Sequence, residues 1–530
     1  MRGRRKRCSM LAAVVLITLC VPAIQAVNVT QVTGQRATTD WWPMLCHDPA
    51  HTGFSTSTLP DNIRMQWDNT TIGFIESSPS IVDGKVYVTT ADFSNWEGYL
   101  YCYDAQTGAR QWVYDGQDEF FASPTVSSEH VFACTLNGKC YCLDAATGVK
   151  LWNVKLGSHL MFENSAPAVV DGRVYLCSYK DDGSYNGSIF CLDADTGSIL
   201  WQISPGTNRD YAPAVANGRL YAAGANNQLS CFDAFNGSLL WVCPEVVLST
   251  HPSVFDDKVY VGSQDGSVCC VDNGSILWAY QPVSNYLATI PCVFMNGYIY
   301  TGLYSPQINN PDILSCLDVH TGAELWSRHL EEKGGVGYIP AVADGKLIVL
   351  SSFMYDYPPA FDRMIRVWCY NATSGHPLWN YSLKRGMDNY AYNSPGIADG
   401  KIFVCTTETN GSQVWGGVYC FSAREYSTPS IQILKPGNAL YLFNKKMLPL
   451  AKPVIVGGID IEINATDNQT GINRVEIFID EKLVSNDTVA PYMWTWNEKT
   501  PFHWQHTLKV IAYNNAGNST TKELSVRKFL

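Results

Sequence analysis

Polar and aromatic side chains gather just before an X-Pro dipeptide that recurs along this chain. They are Glu76, Phe121, Glu163, Asn164, Arg209, Asp210, Tyr211, His251, Tyr338, Tyr392 and Asn393. Glu163, Asn164 and Asp210 carry the oxygen atoms that a hard cation such as calcium prefers. The tyrosines, together with Tyr390, have the size and amphipathic character of anchors in a binding surface. The spacing adds no further support for a cation, so we assign no metal ligand and no catalytic residue. These residues either bind a partner or only solvate the mouth of a channel.

The elements that would position these side chains are repeats. The X-Pro dipeptide opens eight units, at Ser78-Pro79, Ser123-Pro124, Ala166-Pro167, Ala212-Pro213, His251-Pro252, Ile290-Pro291, Ile339-Pro340 and Ser394-Pro395. A period of about forty residues is typical of a ring or a stack. Tryptophan closes seven units, at Trp112, Trp152, Trp201, Trp241, Trp278, Trp326 and Trp379. The eighth unit ends at YCFSARE without one, and Trp67, upstream of the first unit, has the context to supply its closing strand.

A strand from one end of the repeats that completes the sheet at the other end closes a circle and leaves no open edge. The sequence therefore predicts an all-β fold: an eight-bladed β-propeller closed by an N-terminal strand, over residues 64–426. Loops that lead into the innermost strands would surround the ring axis. The residues named first would then line an axial entrance.

Each unit divides into four short strands. In the third unit AVV and RVYLC flank Asp171-Gly172, a tight hairpin signal. The strand SIFCLD then precedes a turn in which Asp193 accepts N–H groups and Gly197 takes a positive φ, and the chain reverses into SILW. The fifth unit departs from this pattern because its turn at Asn273-Gly274 is shorter. We expect the closing tryptophans to pack against the neighbouring blade.

The N-terminus has the pattern of an export signal. A cationic run precedes an apolar stretch that ends at Ala26, so we predict a signal peptide at 1–26, cleaved after Ala26, and a lead-in segment at 27–63. An uncleaved membrane anchor is the alternative, since the apolar stretch is near the lower limit for spanning a bilayer. The formal net charge of −11 argues against nucleic acid and anionic membranes as partners. Glycosylation candidates in Asn-X-Ser/Thr triplets are Asn69, Asn186, Asn371, Asn380, Asn410, Asn464, Asn486 and Asn518.

Eighteen cysteines would be compatible with disulfides in an exported protein. Eight of them recur at one position of the third strand, where equivalent residues of successive blades are too far apart to be joined. We expect these to be buried thiols. Cys134, Cys177 and Cys405 end second strands and could each approach the third-strand cysteine of their own hairpin. The adjacent Cys269 and Cys270 point to opposite faces of a strand, which favours two unlinked thiols.

Composition changes near Ser427, after which no cysteine occurs. Short alternating strands follow, in GIDIEINATD, RVEIFID and TLKVIAY, and these predict a small antiparallel β-sandwich over residues 427–530. Its segments resemble the immunoglobulin-like (Ig-like) modules of exported microbial surface proteins. Asp467 and the Asn514-Asn515 pair could serve calcium in a relative of this fold, but turn formation is the favoured interpretation.

The repeat from Ser123 to Trp152 and from Ala166 to Trp201 resembles the pyrroloquinoline quinone (PQQ)-like propeller repeat, and so does WWPMLCHDPAHTGFS before the first unit. The family includes quinone-dependent dehydrogenases, an outer-membrane assembly lipoprotein and exported proteins of other roles. The resemblance implies the fold and does not choose among these functions. A quinoprotein would hold PQQ over the axis, with calcium and an aspartate base, and would often cap the cofactor with a vicinal disulfide. The long inserted loops that wall such a cofactor are missing from this sequence.

We therefore expect an exported, non-enzymatic scaffold without cofactor, secreted or at the cell surface. It would be a monomer that binds a protein or carbohydrate partner at the axial entrance, where the seventh-unit loop with Tyr355, Tyr357, Pro358 and Pro359 would add contacts. A PQQ- and calcium-dependent dehydrogenase is the first alternative. An outer-membrane assembly factor is the second.

Overall fold

β-Strands form nearly all the regular structure in the described part of the chain. The computed structural model describes residues 39–163, 165–180, 186–206, 210–282, 287–288, 291–304, 312–330, 339–354, 363–383, 388–390, 393–410, 413–424, 426–499 and 504–530. Its one helical segment within these ranges is a 3-10 turn at Ala225–Asn227. No helix in the described ranges has the length and hydrophobicity that a bilayer crossing would need. The predicted signal peptide lies outside the described residues.

The lead-in contributes two strands, β1 (Phe54–Ser55) and β2 (Ile63–Ile72). Units one and two follow as β3 (Ser80–Val82), β4 (Lys85–Thr89), β5 (Tyr99–Asp104), β6 (Arg110–Asp115), β7 (Thr125–Ser127), β8 (His130–Cys134), β9 (Lys139–Asp144) and β10 (Lys150–Lys155). Units three and four comprise β11 (Leu160–Met161), β12 (Ala168–Val170), β13 (Arg173–Cys177), β14 (Tyr179–Lys180), β15 (Ile189–Asp193), β16 (Ile199–Ile203), β17 (Ala214–Ala216), β18 (Arg219–Ala223), β19 (Gln228–Asp233) and β20 (Leu239–Val247).

Units five and six comprise β21 (Ser253–Phe255), β22 (Lys258–Gly262), β23 (Val268–Asp272), β24 (Ser275–Tyr280), β25 (Leu287–Ala288), β26 (Val293–Met295), β27 (Tyr298–Tyr304), β28 (Ile313–Asp318) and β29 (Glu324–His329). Units seven and eight comprise β30 (Ala341–Ala343), β31 (Lys346–Met354), β32 (Arg363–Asn371), β33 (Pro377–Leu383), β34 (Asp388–Tyr390), β35 (Gly396–Ala398), β36 (Lys401–Thr409) and β37 (Val414–Ala423). Units one to six each form a separate antiparallel sheet, while β34 links units seven and eight into one sheet.

The turns within a unit follow the sequence prediction. Asp171 and Gly172 both take positive φ at the hairpin between β12 and β13. Before the closing strand, Asp193 accepts hydrogen bonds from the backbone N–H and the hydroxyl of Thr196, and Gly197 has φ +71°. A short hydrogen-bonded turn therefore sets where the tryptophan of β16 emerges.

The closing tryptophans pack on the next unit, as predicted. A Cβ added at Gly197 would lie 2.6 Å from the Trp152 ring, so this glycine is needed for the close approach. The Trp152 indole N–H also donates to the Ala194 carbonyl of that turn, at 3.0 Å. The same indole bond to the following unit is made by Trp67, Trp112, Trp201, Trp278 and Trp326. Trp241 differs, because its buried indole N–H has no acceptor among the described residues.

The N-terminal strand pairs with the last strand of the repeats. β2 runs antiparallel to β37, with Trp67 opposite Cys420 and Asp68 opposite Tyr419. The prediction that Trp67 lies beside the strand of Tyr419 is therefore confirmed. At the inner edge, the Ser394 backbone N–H of unit eight donates to the Ser78 hydroxyl of unit one.

The C-terminal region has two sheets with a core of their own. The strands are β38 (Ser430–Lys435), β39 (Ala439–Leu442), β40 (Lys445–Pro449), β41 (Val454–Val456), β42 (Ile459–Thr466), β43 (Ile472–Ile479), β44 (Lys482–Asp487), β45 (Tyr492–Trp496), β46 (Gln505–Asn514) and β47 (Ser519–Phe529). The predicted sandwich was expected to be antiparallel, and this is wrong in one sheet. There β41 runs parallel to both β39 and β47. β40 returns the chain to the end of the sheet where β39 begins, and β41 then pairs on the other side of β39.

Candidate binding site at the entrance face

The loops that precede the innermost strands lie on the same face as the loops between second and third strands, because antiparallel neighbours alternate in direction. We call this the entrance face. Of the residues predicted to line the axial entrance, Glu76, Phe121, Glu163, Asp210, Tyr211, His251 and Asn393 are described. Asn164, Arg209, Tyr338 and Tyr392 lie outside the described residues, as do Tyr355 and Tyr357.

Three carboxyl groups of the axial entrance interact. Asp210 accepts a hydrogen bond from the Glu163 backbone N–H at 2.6 Å, and the Glu163 carboxylate accepts one from the Tyr179 hydroxyl. Burial, together with the charge of Glu163, raises the pKa of Glu76 to about 7. Asn393 is 2% exposed, and neither its amide nitrogen nor its oxygen has a partner among the described residues. Within those residues no group of three or more His, Cys, Asp or Glu side chains is arranged to hold a metal ion.

The lead-in passes along the inner strands of successive units. Its backbone pairs with Ile81 of unit one through Trp42, and the carbonyls of Pro43, Pro49, Ala50, Thr52 and Gly53 accept from N–H groups of Val126, Val215, Val254, Phe294 and Val342. Leu45 and Cys46 pack on Ala166 and Ala212, at the starts of units three and four. We call this stretch of the lead-in the floor, because its backbone bridges the inner strands of units one, two, four, five, six and seven.

Two neutral histidines join this floor to the axial entrance. The His51 Nδ1–H donates to the Pro252 carbonyl at 2.9 Å, and His251 Nδ1 accepts from the Ala212 N–H at 2.8 Å. Their rings lie 6.2 Å apart, and Tyr211 packs edge-on against His251. Burial lowers the pKa of His251 to about 3, and it lowers the pKa of His51 as well. Both rings are therefore uncharged at neutral pH.

His47, also in the lead-in, has the opposite charge state. Its two ring nitrogens lie 3.1 Å from Asp40 and 3.2 Å from Asp48. Although burial lowers it, hydrogen bonds and charge from these carboxylates raise the pKa of His47 to about 9. These two ion pairs hold this part of the lead-in in place.

An aromatic cluster extends from the axial entrance to the outer part of the same face. Phe121 lies 5.3 Å from Phe74 and 5.4 Å from Phe93, measured between ring centroids. Phe93 and Trp96 are 50% and 70% exposed. They stand on a tight loop in which Asp92 accepts hydrogen bonds from the Ser94 N–H and the Asn95 amide. The loop thus holds two large rings in solvent, where they add little to any core.

A cavity of about 460 Å³ lies beside these rings. We call it the aromatic groove; its lining residues are Ile72, Gly73, Phe74, Asp92, Phe93, Ser94, Asn95, Gln413, Val414 and Trp415. The indole N–H of Trp415 donates to Glu408 at 2.8 Å. Glu408 is 1% exposed and also accepts from the hydroxyls of Thr406 and Tyr419. These buried bonds hold the half-buried Trp415 ring in place before any ligand arrives.

The residues that line the aromatic groove were missed by sequence reasoning, which named only the neighbouring Phe121. Phe93 and Trp96 were detectable as two aromatic residues in the otherwise polar loop ADFSNWEG. Trp415 was detectable as a tryptophan off the repeat position. Its link to Glu408 was not, since nothing in the spacing shows that this carboxylate is buried.

The glycosylation candidates differ in exposure and in the hydrogen bonds recorded for their amide nitrogens. Asn186, Asn380, Asn464 and Asn486 are exposed. The Asn69 amide nitrogen donates to Gly108, and that of Asn518 donates to Tyr426. A sugar attached at either nitrogen would disturb a bond within the fold.

The sequence left two interpretations for Asp467, calcium binding and turn formation. Asp467 accepts from the N–H groups of Gln469, Thr470 and Gly471 and from the Asn514 amide, as the turn interpretation predicts.

The second-strand cysteines do not face the third-strand cysteines of their hairpins. Cys177 is opposite Ile189 and Cys405 opposite Val418, and Cys134 is opposite Cys140 rather than Cys142. Those three expected pairings are wrong because the partners are offset by two residues.

The fold is that of a propeller protein with an appended sandwich. Its four-stranded sheets repeat, its tryptophans contact the following unit, and its lead-in bridges the inner strands. A family model described as "Outer membrane protein assembly factor BamB" matches residues 97–186, 185–292 and 310–428. The chain belongs to this family of PQQ-like repeat proteins. A second model, described as "Bacterial Ig domain", matches residues 448–525. No curated protein sequence matches the chain.

Solved structures share the fold at low identity. A europium-containing methanol dehydrogenase aligns with a TM-score of 0.58 at 14% identity, covering 72% of this chain and 98% of its own. A quinohemoprotein alcohol dehydrogenase from Comamonas testosteroni gives 0.58 at 16%, covering 76% and 83%. BamB from Moraxella catarrhalis gives 0.51 at 16%, covering 68% and 100%. These likenesses establish the fold and leave the activity open.

Proposed function

We propose that this protein is an exported, non-enzymatic scaffold that binds a glycan or protein partner at its entrance face. The observation that carries the proposal is the aromatic groove, where rings exposed to solvent continue the lining of the axial entrance. Contiguous exposed apolar surface of this kind marks binding sites. A pocket of several hundred Å³ with aromatic walls and a few polar groups suits a small ligand or a side chain of a partner.

The chemistry of the aromatic groove favours a neutral glycan over a protein. None of its described lining residues is cationic, and its one carboxylate, Asp92, already accepts bonds from its own loop. Ser94, Asn95 and Gln413 offer hydroxyl and amide groups beside ring faces on which apolar sugar surfaces could stack. A standard protein interface would instead need about 800 Å² on each partner.

Substitution of the exposed rings tests the proposal. The Phe93→Ala/Trp96→Ala variant should lose binding to neutral glycans on an array and to partners captured from cell-surface extracts. Trp504→Ala is a matched control, because Trp504 is 58% exposed in the C-terminal sandwich, away from the aromatic groove. Glycan and protein binding that both survive in the double variant would overturn the proposal.

The arrangement that presents the aromatic groove is also proposed: a closed ring of eight blades over residues 64–426, followed by the sandwich over 427–530. The pairing of β2 with β37 and the bond between Ser394 and Ser78 support closure. Limited proteolysis should cut near Ser427 and leave two resistant fragments. An experimental density map showing any other number of blades would contradict the ring.

A PQQ- and calcium-dependent dehydrogenase is the second candidate, because two of the structural neighbours are quinoprotein or methanol dehydrogenases. The described residues fit that cofactor poorly. Cys269 and Cys270 belong to different core clusters on opposite faces of β23, so they cannot cap a quinone. Adding PQQ and calcium and measuring dye reduction with alcohols and sugars separates the candidates, since turnover would favour the dehydrogenase.

An assembly role at an outer membrane is a third candidate, supported only by the description of the family model. Export is common to all three. Mass spectrometry of native protein would test it through the mature N-terminus, attached sugars and bound quinone or metal.

A further inference from the structure

Cys134 and Cys140 face each other across the second hairpin of unit two. They are register partners in the antiparallel pair of β8 and β9, and both are fully buried. Register partners point to the same face of a sheet. Accordingly, both side chains belong to the core cluster that unit two shares with unit three.

The hydrogen bonds of the hairpin show whether Cys134 and Cys140 form a hydrogen-bonded or a non-hydrogen-bonded pair. The Thr135 backbone N–H donates to the Lys139 carbonyl at 3.0 Å, so Thr135 and Lys139 form a hydrogen-bonded pair. Because the two kinds of pair alternate along an antiparallel ladder, Cys134 and Cys140 form a non-hydrogen-bonded pair. The Cα atoms of such pairs are about 4.5 Å apart, within the span of roughly 4.4–6.8 Å that disulfides bridge.

No other second-strand cysteine has this neighbour. Cys177 faces Ile189 and Cys405 faces Val418. Cys142 lies two residues beyond Cys140, and its register partner on β8 is Phe132. The geometry therefore singles out one cross-strand pair among the sixteen described thiols.

We propose that Cys134 and Cys140 form a disulfide in the exported protein. Burial and the neighbouring Cys140 thiol raise the pKa of Cys134 well above its ordinary value, so the folded Cys134 thiol is a poor nucleophile. The bond must form while the hairpin is still exposed. The Cys134 thiolate attacks a small-molecule or oxidoreductase disulfide and releases one thiolate. The Cys140 thiolate then attacks the mixed disulfide and releases the second, and the two cysteine protons pass through solvent to the released thiolates.

Peptide mapping of the full chain folded with oxidised and reduced glutathione tests the proposal. Trypsin cleaves after Lys139, so the disulfide would join two peptides that separate on reduction. We expect this linked pair, and protection of both cysteines from iodoacetamide after denaturation without reductant. Alkylation of both residues, or a link from Cys134 to Cys142, would overturn the proposal.

Stability gives a second measurement. Reduction should lower the melting temperature of the wild-type chain by a few degrees and leave Cys134→Ala unchanged, because that variant has no bond to lose. Cys177→Ala, which replaces an equally buried thiol without a facing cysteine, should keep the wild-type response. A melting temperature that does not change when the wild type is reduced would count against the bond.

Discussion

The junction between units three and four and the junction between units four and five differ in one indole hydrogen bond and in the approach of the turn glycine to the ring. An added Cβ would lie 2.8 Å from the Trp201 ring at Gly237 and 3.5 Å from the Trp241 ring at Gly274. Trp201 and Trp241 occupy the same repeat position, and each lies about 6 Å from a tyrosine of its own sheet, at 6.1 and 5.9 Å. The Trp201 indole N–H donates to Ala234 at 3.2 Å, whereas the buried Trp241 N–H has no described acceptor. The shorter Asn273-Gly274 turn of unit five brings no carbonyl there. Ring packing and indole hydrogen bonding are therefore separable in this fold.

Removal of either ring should have the largest effect. We expect Trp201→Ala and Trp241→Ala each to destabilise the protein by roughly 3 kcal/mol, because both lose the packing between units. Trp201→Ala also removes one of the two side-chain hydrogen bonds that the Ala234 carbonyl accepts, the other coming from the Tyr175 hydroxyl, and should be the worse of the two. Thermal unfolding measures this, and an unchanged melting temperature in either variant would contradict the packing role.

An alanine in place of the turn glycine beneath the ring should have the second largest effect on stability. Gly197→Ala adds a Cβ 2.6 Å from the Trp152 ring, while the Cβ of Gly274→Ala would lie 3.0 Å from the Val242 carbonyl and 3.5 Å from the Trp241 ring, an ordinary contact distance. Gly172→Ala is the control for backbone strain, since its φ is +70° and no atom lies within 4 Å. We expect Gly197→Ala to cost the most, Gly274→Ala less and Gly172→Ala about 1 kcal/mol. Equal losses in denaturant unfolding would mean that the indole does not constrain the turn.

Replacing the indole by a phenyl ring tests the indole hydrogen bond separately from the ring packing. Trp201→Phe should cost about 1 kcal/mol more than Trp241→Phe, because only the former loses an indole hydrogen bond, the one to the Ala234 carbonyl. Trp241→Phe removes a buried donor that has no acceptor and should be close to neutral. Chemical unfolding of the two variants measures the difference. If Trp241→Phe were the costlier change, the comparison between junctions would fail.

The smallest expected difference between the two junctions concerns the pH dependence of stability. The His47 pKa is raised from 6.5 to about 9, so its ion pairs stabilise the fold fully below pH 6.5 and are lost as the pH rises through 9. We expect the melting temperatures of the wild type and both Trp→Phe variants to fall in parallel over this window. His47→Gln should remove most of the fall. Variants that diverge with pH would show that the junctions are coupled to the lead-in.

The repeat pattern predicted most of the propeller strands and the position of β2, because turn residues and side-chain alternation are local signals. The parallel strand β41 was not predicted, since its neighbours are set by contacts distant in sequence. The floor was missed for the same reason. WWPMLCHDPAHTGFS looks like an irregular lead-in, and only the fold shows its carbonyls on the inner strands.

The candidate site was predicted less well than the fold. Phe121 was identified from its place before an X-Pro dipeptide. Phe74, which contacts Phe121, and Trp415, which lines the aromatic groove with Phe74, carry no repeat signature and come together only in the fold. Likewise, the offset that places Cys134 opposite Cys140 depends on strand register, which the position of a cysteine within its strand does not fix.

The pairing of β2 with β37 implies an order of assembly. Because synthesis runs from the N-terminus, Ile63–Ile72 is made long before its partner strand Val414–Ala423. This edge of β2 therefore stays unpaired until the last unit has been made. A truncation that ends before β37 would leave the same edge open and prone to association with other chains.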